Sequence, residues 1–261
     1  MDGDEILLYG DEQGVASVAA RLGVRHRPDL RLSEYGTPLI GDVFARAQRD
    51  ARTDWLCYVN ADVIAMSDLA RAVATVARRR RPLLMSGRRW RLEVLEQLEF
   101  GPGWEERWPE RVRREGRRDS VMCMDYFVFP RGLFDDLPDF AIGRGRWDSY
   151  LPWRAREQGA DFIDASEAVL VAHQDHAFAH PDGKAGMRHS PEGVRNGKLA
   201  MGGKATLGDA THKLSAGGVR RAHDGVRLRW WLWTHRDDPV VGWPVRRMLE
   251  GDKERKKRLV R

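Results

Sequence analysis

A mostly parallel β-sheet flanked by helices, an α/β fold, is what this sequence predicts, and three observations carry the prediction. Short apolar runs of strand length recur at residues 6–9, 55–59 and 83–86. Segments with helical periodicity separate them, the rhythm of domains in which strands alternate with helices of about 10–15 residues and both sheet faces are covered. The chain of 261 residues, 42% apolar and 32% charged, is long enough for one large domain with an appendage and is composed like a globular protein.

The elements follow in order. Ile6 to Tyr9 reads as a strand and Gly14 to Leu22 as a helix stopped by Gly23. Thr37 and Pro38 offer an N-cap and a first-turn proline to a helix whose face is Leu39, Val43, Phe44 and Ala47. Trp55 to Val59 is a strand; Ser67 or Asp68 then caps a helix carrying Leu69, Ala72, Val73 and Val76, closed by the basic run Arg78 to Arg81 and Pro82. Leu83 to Ser86 and Val121 to Phe129 read as strands. Between them, residues 88–120 are rich in Arg, Glu and Trp and are broken by Gly101, Pro102 and Gly103, the pattern of an irregular excursion over one face. Trp147 to Glu157 reads as a helix ended by Gly159, followed by strands at Phe162 to Asp164 and Ala168 to Ala172. No internal repeat is visible.

The net charge of +6 is unevenly placed. Residues 220–261 hold 13 Lys/Arg against 6 Asp/Glu, which leaves residues 1–219 with a net charge of −1. The division is therefore a neutral domain, 1–219, and a basic extension, 220–261. Trp230, Trp231, Trp233 and Trp243 stand among the arginines of that extension. Such interleaving suits an anionic membrane surface or stacked bases, and equally an extra helix packed on the domain with a solvated charge run after it. No apolar run approaches the roughly 20 residues that cross a bilayer, and MDGDEILLYG lacks a basic segment followed by an apolar one. A cytoplasmic protein is expected, with peripheral contact at the inner membrane face through the tail. Cys57 and Cys123 lie in strand-like apolar runs, which reads as reduced, buried thiols.

Three constellations carry chemistry. Parallel sheets bind ligands beyond the carboxyl ends of their strands, and Asn60-Ala61-Asp62 follows one such strand. A hard cation such as Mg²⁺ or Mn²⁺ takes oxygen ligands and is commonly held by one or two carboxylates plus substrate phosphates; an Asx-turn or helix cap would use the same residues. Asp148, in the run Gly143 to Tyr150, falls in the first turn of a helix, where the dipole favours an ionised carboxylate able to act as a base, or simply as a cap. His173, His176 and His180 follow a strand. Their spacing hints at zinc, yet no fourth ligand is near in sequence, and one histidine joining Asp62 on Mg²⁺ or Mn²⁺ is the more economical arrangement. For His176 and His180, local hydrogen bonding in a loop is an equal alternative.

Taken in order, a strand ending in a short acidic motif, an Asp opening a helix, and a strand ending in His resemble the nucleotide-sugar-dependent glycosyltransferases of the GT-A fold, and among them the bacterial family 2 type. GTPLIGDVFARAQRDARTDWLCYVNADVI is similar to the helix and strand leading to that family's DxD-like metal motif. WDSYLPWRAREQGADFIDASEAVLVAHQDH is similar to its base-bearing helix, next strand and late histidine. DYFVFPRGLF, AIGRGRWD and HQDHAFAH resemble a bacterial subgroup with HQNH-type endings, and the likeness covers about residues 4–215.

The resemblance implies a metal-dependent, inverting glycosyltransferase. Asp62 would bind the Mn²⁺ or Mg²⁺ that bridges the donor diphosphate, with His173 a further ligand and Asn60 standing where relatives carry a first Asp. Asp11 would meet the nucleotide base, and Asp148 would deprotonate the acceptor hydroxyl. Asp125, Trp147 and His176 would contact the acceptor. The partners implied are a nucleotide-sugar donor and a glycan, lipid-linked or small-molecule acceptor; nucleic acid is not expected. The family carries a strand before the equivalent of Ile6, which the chain as written does not show. Two rival readings follow: a degenerate GT-A-like binding protein, and a nucleic-acid or membrane-binding protein that uses the basic tail.

Overall fold

The computed structural model describes residues 5–175 and 183–222, together with scattered positions between 230 and 244. The first half begins with β1 (Leu7–Tyr9), α1 (Val15–Leu22), β2 (Arg25–Arg27), α2 (Ile40–Asp50), β3 (Trp55–Val59), β4 (Val63–Ile64), α3 (Ser67–Val76) and β5 (Leu83–Ser86). It continues with β6 (Trp90–Leu92), α4 (Trp104–Glu115), β7 (Arg117–Arg118) and β8 (Tyr126–Pro130). The second half adds α5 (Trp147–Glu157), β9 (Asp161–Asp164), β10 (Ala172–Gln174), α6 (Gly183–His189), α7 (Pro191–Leu199), β11 (His212–Ser215) and β12 (Gly218–Arg221). No helix among the described residues is long and apolar enough to cross a membrane.

The architecture is α/β, but its sheets are mixed rather than mostly parallel. The largest sheet has the order β12-β11-β9-β5-β8-β3. β5, β9 and β11 run parallel, whereas β8 is antiparallel to both its neighbours and β12 to β11. The reason lies in the connection between β5 and β8. Residues 87–125 build no helical crossover to the opposite end of the sheet; the chain re-enters from the end at which it left, and so must run the other way. A second sheet, β4-β10-β6-β7, lies beyond that end, and β1 pairs only with β2 in a separate parallel ribbon.

Strand alternation sorts the core into two layers. Leu56, Leu84, Phe127, Phe129 and Phe162 face α2 and α5, where Ile40, Phe44, Trp147, Tyr150 and Leu151 complete the larger cluster. Met85, Val128 and Ile163 face the other way, onto Ala72 and Val76 of α3. The helices thus cover both faces, as the alternating pattern implied. Phe44 stacks on Phe129 with ring centroids 5.2 Å apart, and each buried side chain of this size contributes roughly 1.5–3 kcal/mol.

Several local expectations are corrected. The excursion 88–120 is ordered: β6 and β7 pair, and α4 buries Trp108 and Val112 against Leu92 and Ala172. Thr37 does not cap α2; Leu39 is the N-cap and Thr37 donates its hydroxyl to Glu192 at 3.0 Å. Neither Ser67 nor Asp68 caps α3. The Ser67 N–H instead donates to the Glu105 carboxylate of α4 (3.2 Å), and Asp68 accepts from Leu170 N–H (2.8 Å), so tertiary partners replace the local ones. The strand foreseen at 121–129 begins only at Tyr126, and the one foreseen at 168–172 lies at 172–174. Cys57 and Cys123 are free, but Cys57 is exposed because β3 is the sheet's edge strand.

Gly87 is required by a close approach. A Cβ there would stand 2.5 Å from the Tyr126 hydroxyl and 3.2 Å from Ser166 N. Gly87→Ala is expected to lower stability by about 1–3 kcal/mol, the usual cost of overpacking. Urea denaturation of the two proteins checks it; an unchanged midpoint would show that the strand end can shift to make room.

Candidate functional site

The turn between β3 and β4 links the two large sheets, and its backbone is pinned on both sides. Val63 N–H donates to Asn60 O (3.2 Å), closing the turn. Asn60 N–H donates to Asp125 O (3.0 Å), and Gln174 N–H donates to Asp62 O (2.9 Å). Asp62, Asp125 and His173 are therefore brought together from three distant stretches of chain.

Their side chains meet on the imidazole. His173 Nδ1 lies 3.3 Å from Asp62 Oδ1 and 3.2 Å from Asp125 Oδ2. Arg89, just before β6, enters the same space: its Nη1 donates to Asp125 Oδ2 at 2.7 Å and its Nε to Asp119 Oδ2 at 2.8 Å. Arg91, two residues on, grips Asp119 from the same side at 2.7 Å. His173 lies inside β10, in register with Val63 and Arg91, rather than after a strand end.

These contacts fix the charges. Burial lowers the basicity of His173, but its hydrogen bonds to Asp125 and Asp62 outweigh burial and lift its pKa to about 9. Burial also opposes the charge on Arg89, and Asp125 and Asp119 more than offset it. For Asp119 burial favours the neutral form, while Arg89 and Arg91 hold the carboxyl below its ordinary range.

Asp148 stands in the first turn of α5, half-buried, and its Oδ1 accepts from Ser149 N–H at 2.8 Å. Burial pushes its pKa up; the Ser149 N–H opposes this and the field of Asp125 adds to it. Asp125 thus acts on both Asp148 and His173. The loop before α5 is held by α7. Asn196, fully buried, donates to Ala141 O and Gly145 O at 3.0 Å and accepts from Ala141 N–H at 2.9 Å. Glu192 accepts from Ser33, Thr37 and Arg144. Between these clamps Arg146, the N-cap of α5, adopts φ +77°, a conformation that costs a non-glycine residue of order 1–3 kcal/mol.

Trp147 is 6% exposed and packs edge-on against Tyr58, centroids 5.1 Å apart; the Tyr58 hydroxyl in turn donates to Asn60 Oδ1 at 3.0 Å. Its place is in the core, where it couples α5 to the Asn60–Asp62 turn, rather than on an open surface. Asp11 is exposed beyond β1 and takes no part in the network. His176 and His180 lie outside the described residues, as does most of the extension, although Arg156 of α5 covers the Trp230 ring at 3.8 Å.

Asp62 in the turn and His173 in β10 bring one carboxylate oxygen and one imidazole nitrogen within 3.3 Å, a donor pair that fits a hard cation completed by substrate phosphates once the imidazole gives up its proton. It does not fit an all-protein centre: among the described residues no group of three His, Cys, Asp or Glu side chains is arranged to hold a metal.

Arg89, Arg91 and Asp119 escaped the sequence reading, although a signal existed. In Arg89-Trp90-Arg91-Leu92 the apolar residues alternate with arginines, and Trp90 and Leu92 do join the apolar cluster under α4 while the arginines turn to Asp119. Asn196 and Glu192 carried no signal, because a lone polar residue in a helix reads as surface.

Removing one partner of a buried ion network leaves the others uncompensated. Arg89→Ala is expected to cost about 3–5 kcal/mol in urea unfolding, with part of the loss recovered by adding Asp125→Asn; full additivity of the two substitutions would refute the coupling. In the metal-free protein the His173 imidazole is expected to titrate near pH 9, followed by NMR. Because this folded-state value exceeds the unfolded value of about 6.5, the stability it contributes is complete below about pH 6.5 and is lost as the pH rises through about 9. A midpoint near 6.5 would contradict the described contacts.

Comparison with known proteins assigns the chain to no group: no family model matches it, and no curated protein matches it significantly.

Proposed function

We propose that the chain is a metal-dependent, inverting glycosyltransferase that moves a sugar from a nucleotide-sugar donor to an acceptor hydroxyl. The observation that carries this reading is the convergence of Asp62, Asp125 and His173, with Asp148 close enough to feel the charge of Asp125. A carboxylate and an imidazole in contact, with the Arg89 guanidinium beside them, suit the diphosphate end of a donor. A second carboxylate with a raised pKa, at a helix start, suits a proton acceptor.

Asp62 and His173 would hold Mn²⁺ or Mg²⁺, which when bound offsets charge on the departing diphosphate by several kcal/mol. Asn60 keeps the turn that carries Asp62, through its backbone bond to Asp125 and the Tyr58 hydroxyl on its side chain. Arg89 fixes the Asp125 carboxylate. Asp148 takes the proton of the acceptor hydroxyl as that oxygen attacks the anomeric carbon opposite the leaving group, inverting its configuration. Burial of Asp148 raises its proton affinity toward the working pH, which improves a general base.

Two measurements test the proposal. Titration with a panel of sugar nucleotides, with and without Mn²⁺, is expected to reveal at least one donor whose metal-dependent binding Asp62→Ala removes. If no donor binds in this way, the reading is wrong. Asp148→Asn is expected to lower turnover by roughly 10²–10⁴-fold while leaving donor affinity unchanged; a fully active Asn variant would remove Asp148 from the role of base.

A further inference from the structure

A cleft of about 530 Å³ opens between α4 and residues 96–100, within the usual size range for small-ligand sites of about 300–1,000 Å³. We propose that it binds a neutral saccharide. Its role as the acceptor subsite rests on the glycosyltransferase reading; the ligand class rests on the cleft itself.

Two features define that class. The first is aromatic: Phe100, Trp104 and Trp108 line the cleft, with Phe100 edge-on to Trp104 at 4.9 Å and itself 59% exposed. A sugar ring presents an apolar C–H face that packs on such rings while its hydroxyls stay available for hydrogen bonds. The second is charge: Arg107, Arg111 and Arg114 are matched by Glu96, Glu99 and Glu110. This lining offers both donors and acceptors but no net charge that would select a phosphate, a nucleic acid or an anionic lipid.

The cleft is also tied to the charged cluster. Gln174, next to His173, donates its side-chain amide to Val94 O at 3.0 Å, and Asp175 N–H donates to Leu92 O at 2.8 Å. Val94 stands two residues before Glu96, where the lining of the cleft begins. The segment that leads into the cleft is thus held by the strand that carries His173.

The test uses the full chain and defined neutral oligosaccharides: cellotetraose, maltotetraose, laminaritetraose, mannotetraose and chitotetraose, with binding read by intrinsic tryptophan fluorescence and saturation-transfer NMR. At least one is expected to bind saturably, and Trp104→Ala or Phe100→Ala, at positions not fully buried, is expected to weaken it by roughly tenfold or more, as for a lost aromatic platform. Trp108→Phe, which keeps the ring packing and removes an N–H closed off from the cleft, is expected to leave it unchanged. Asp62→Ala is expected to leave it unchanged. No binding by any of the five, binding indifferent to both platform substitutions, or preference for a sulfated oligosaccharide or anionic vesicles would each overturn the proposal. If saccharide binding persists while no sugar nucleotide shows metal-dependent binding, the cleft stands and the glycosyltransferase reading falls; the reverse pattern keeps the enzyme and removes this subsite.

Discussion

The Arg89 guanidinium is the group on which the charged interior of this protein depends. It donates to Asp125 and Asp119 at once, and Asp125 in turn faces His173 and influences Asp148. Burying two carboxylates is costly unless a cation is held among them, and here the guanidinium lies between the two. A guanidinium suits the position because it stays charged at any relevant pH and offers several N–H groups in a fixed fork. Its anchoring sets where Asp125 points, and through Asp125 the proton affinities of the histidine and of the helix-start carboxylate.

The aromatic core does the corresponding work for geometry. Tyr58 touches both Trp147 and Phe44, so the strand leading to Asp62 and the helix carrying Asp148 share one packed layer. Close-packed interiors transmit small displacements, and substitutions in this layer therefore reach the site without touching it. On the far side α7 fixes the entry to α5 through Asn196 and Glu192, and the strained backbone at Arg146 persists because both clamps hold it.

Much of this was legible in the sequence, and the remainder was hidden for physical reasons. α3 and α5 could be read nearly to their ends because their apolar residues recur at helical spacing and a glycine or a basic run stops them. β3 and β5 were evident as short apolar runs. Strand direction was not evident, since nothing in Tyr126 to Pro130 tells an antiparallel strand from a parallel one; that is settled by where residues 87–125 bring the chain back. The region 88–120 was obscured because Gly101, Pro102 and Gly103 interrupt the pattern and the apolar stripe of α4 is narrow, with only Trp108 and Val112 fully buried. Asp62 and His173, which the structure brings together, had each been singled out by residue type and neighbours. The pairing of Arg89 and Arg91 with Asp119 became visible only once distant segments had met, and Trp147, expected to contact the acceptor, lies in the core.

The turn at Asn60–Asp62 has a further consequence, for the order in which the molecule assembles. Besides the local Val63 to Asn60 bond, its backbone is secured among the described residues by Asp125, 65 positions after Asn60, and by Gln174, 112 positions after Asp62. Closing loops of that length is entropically slow, and a nascent chain emerges from its N-terminus. The strand before the turn and the bond that closes it can form early, but the turn lacks its second long-range anchor until β10 has been synthesised and docked. Any charged ligand that needs all three side chains therefore meets a chain that has already completed its second sheet, and a fragment ending before residue 172 would carry Asp62 without the frame that aims it.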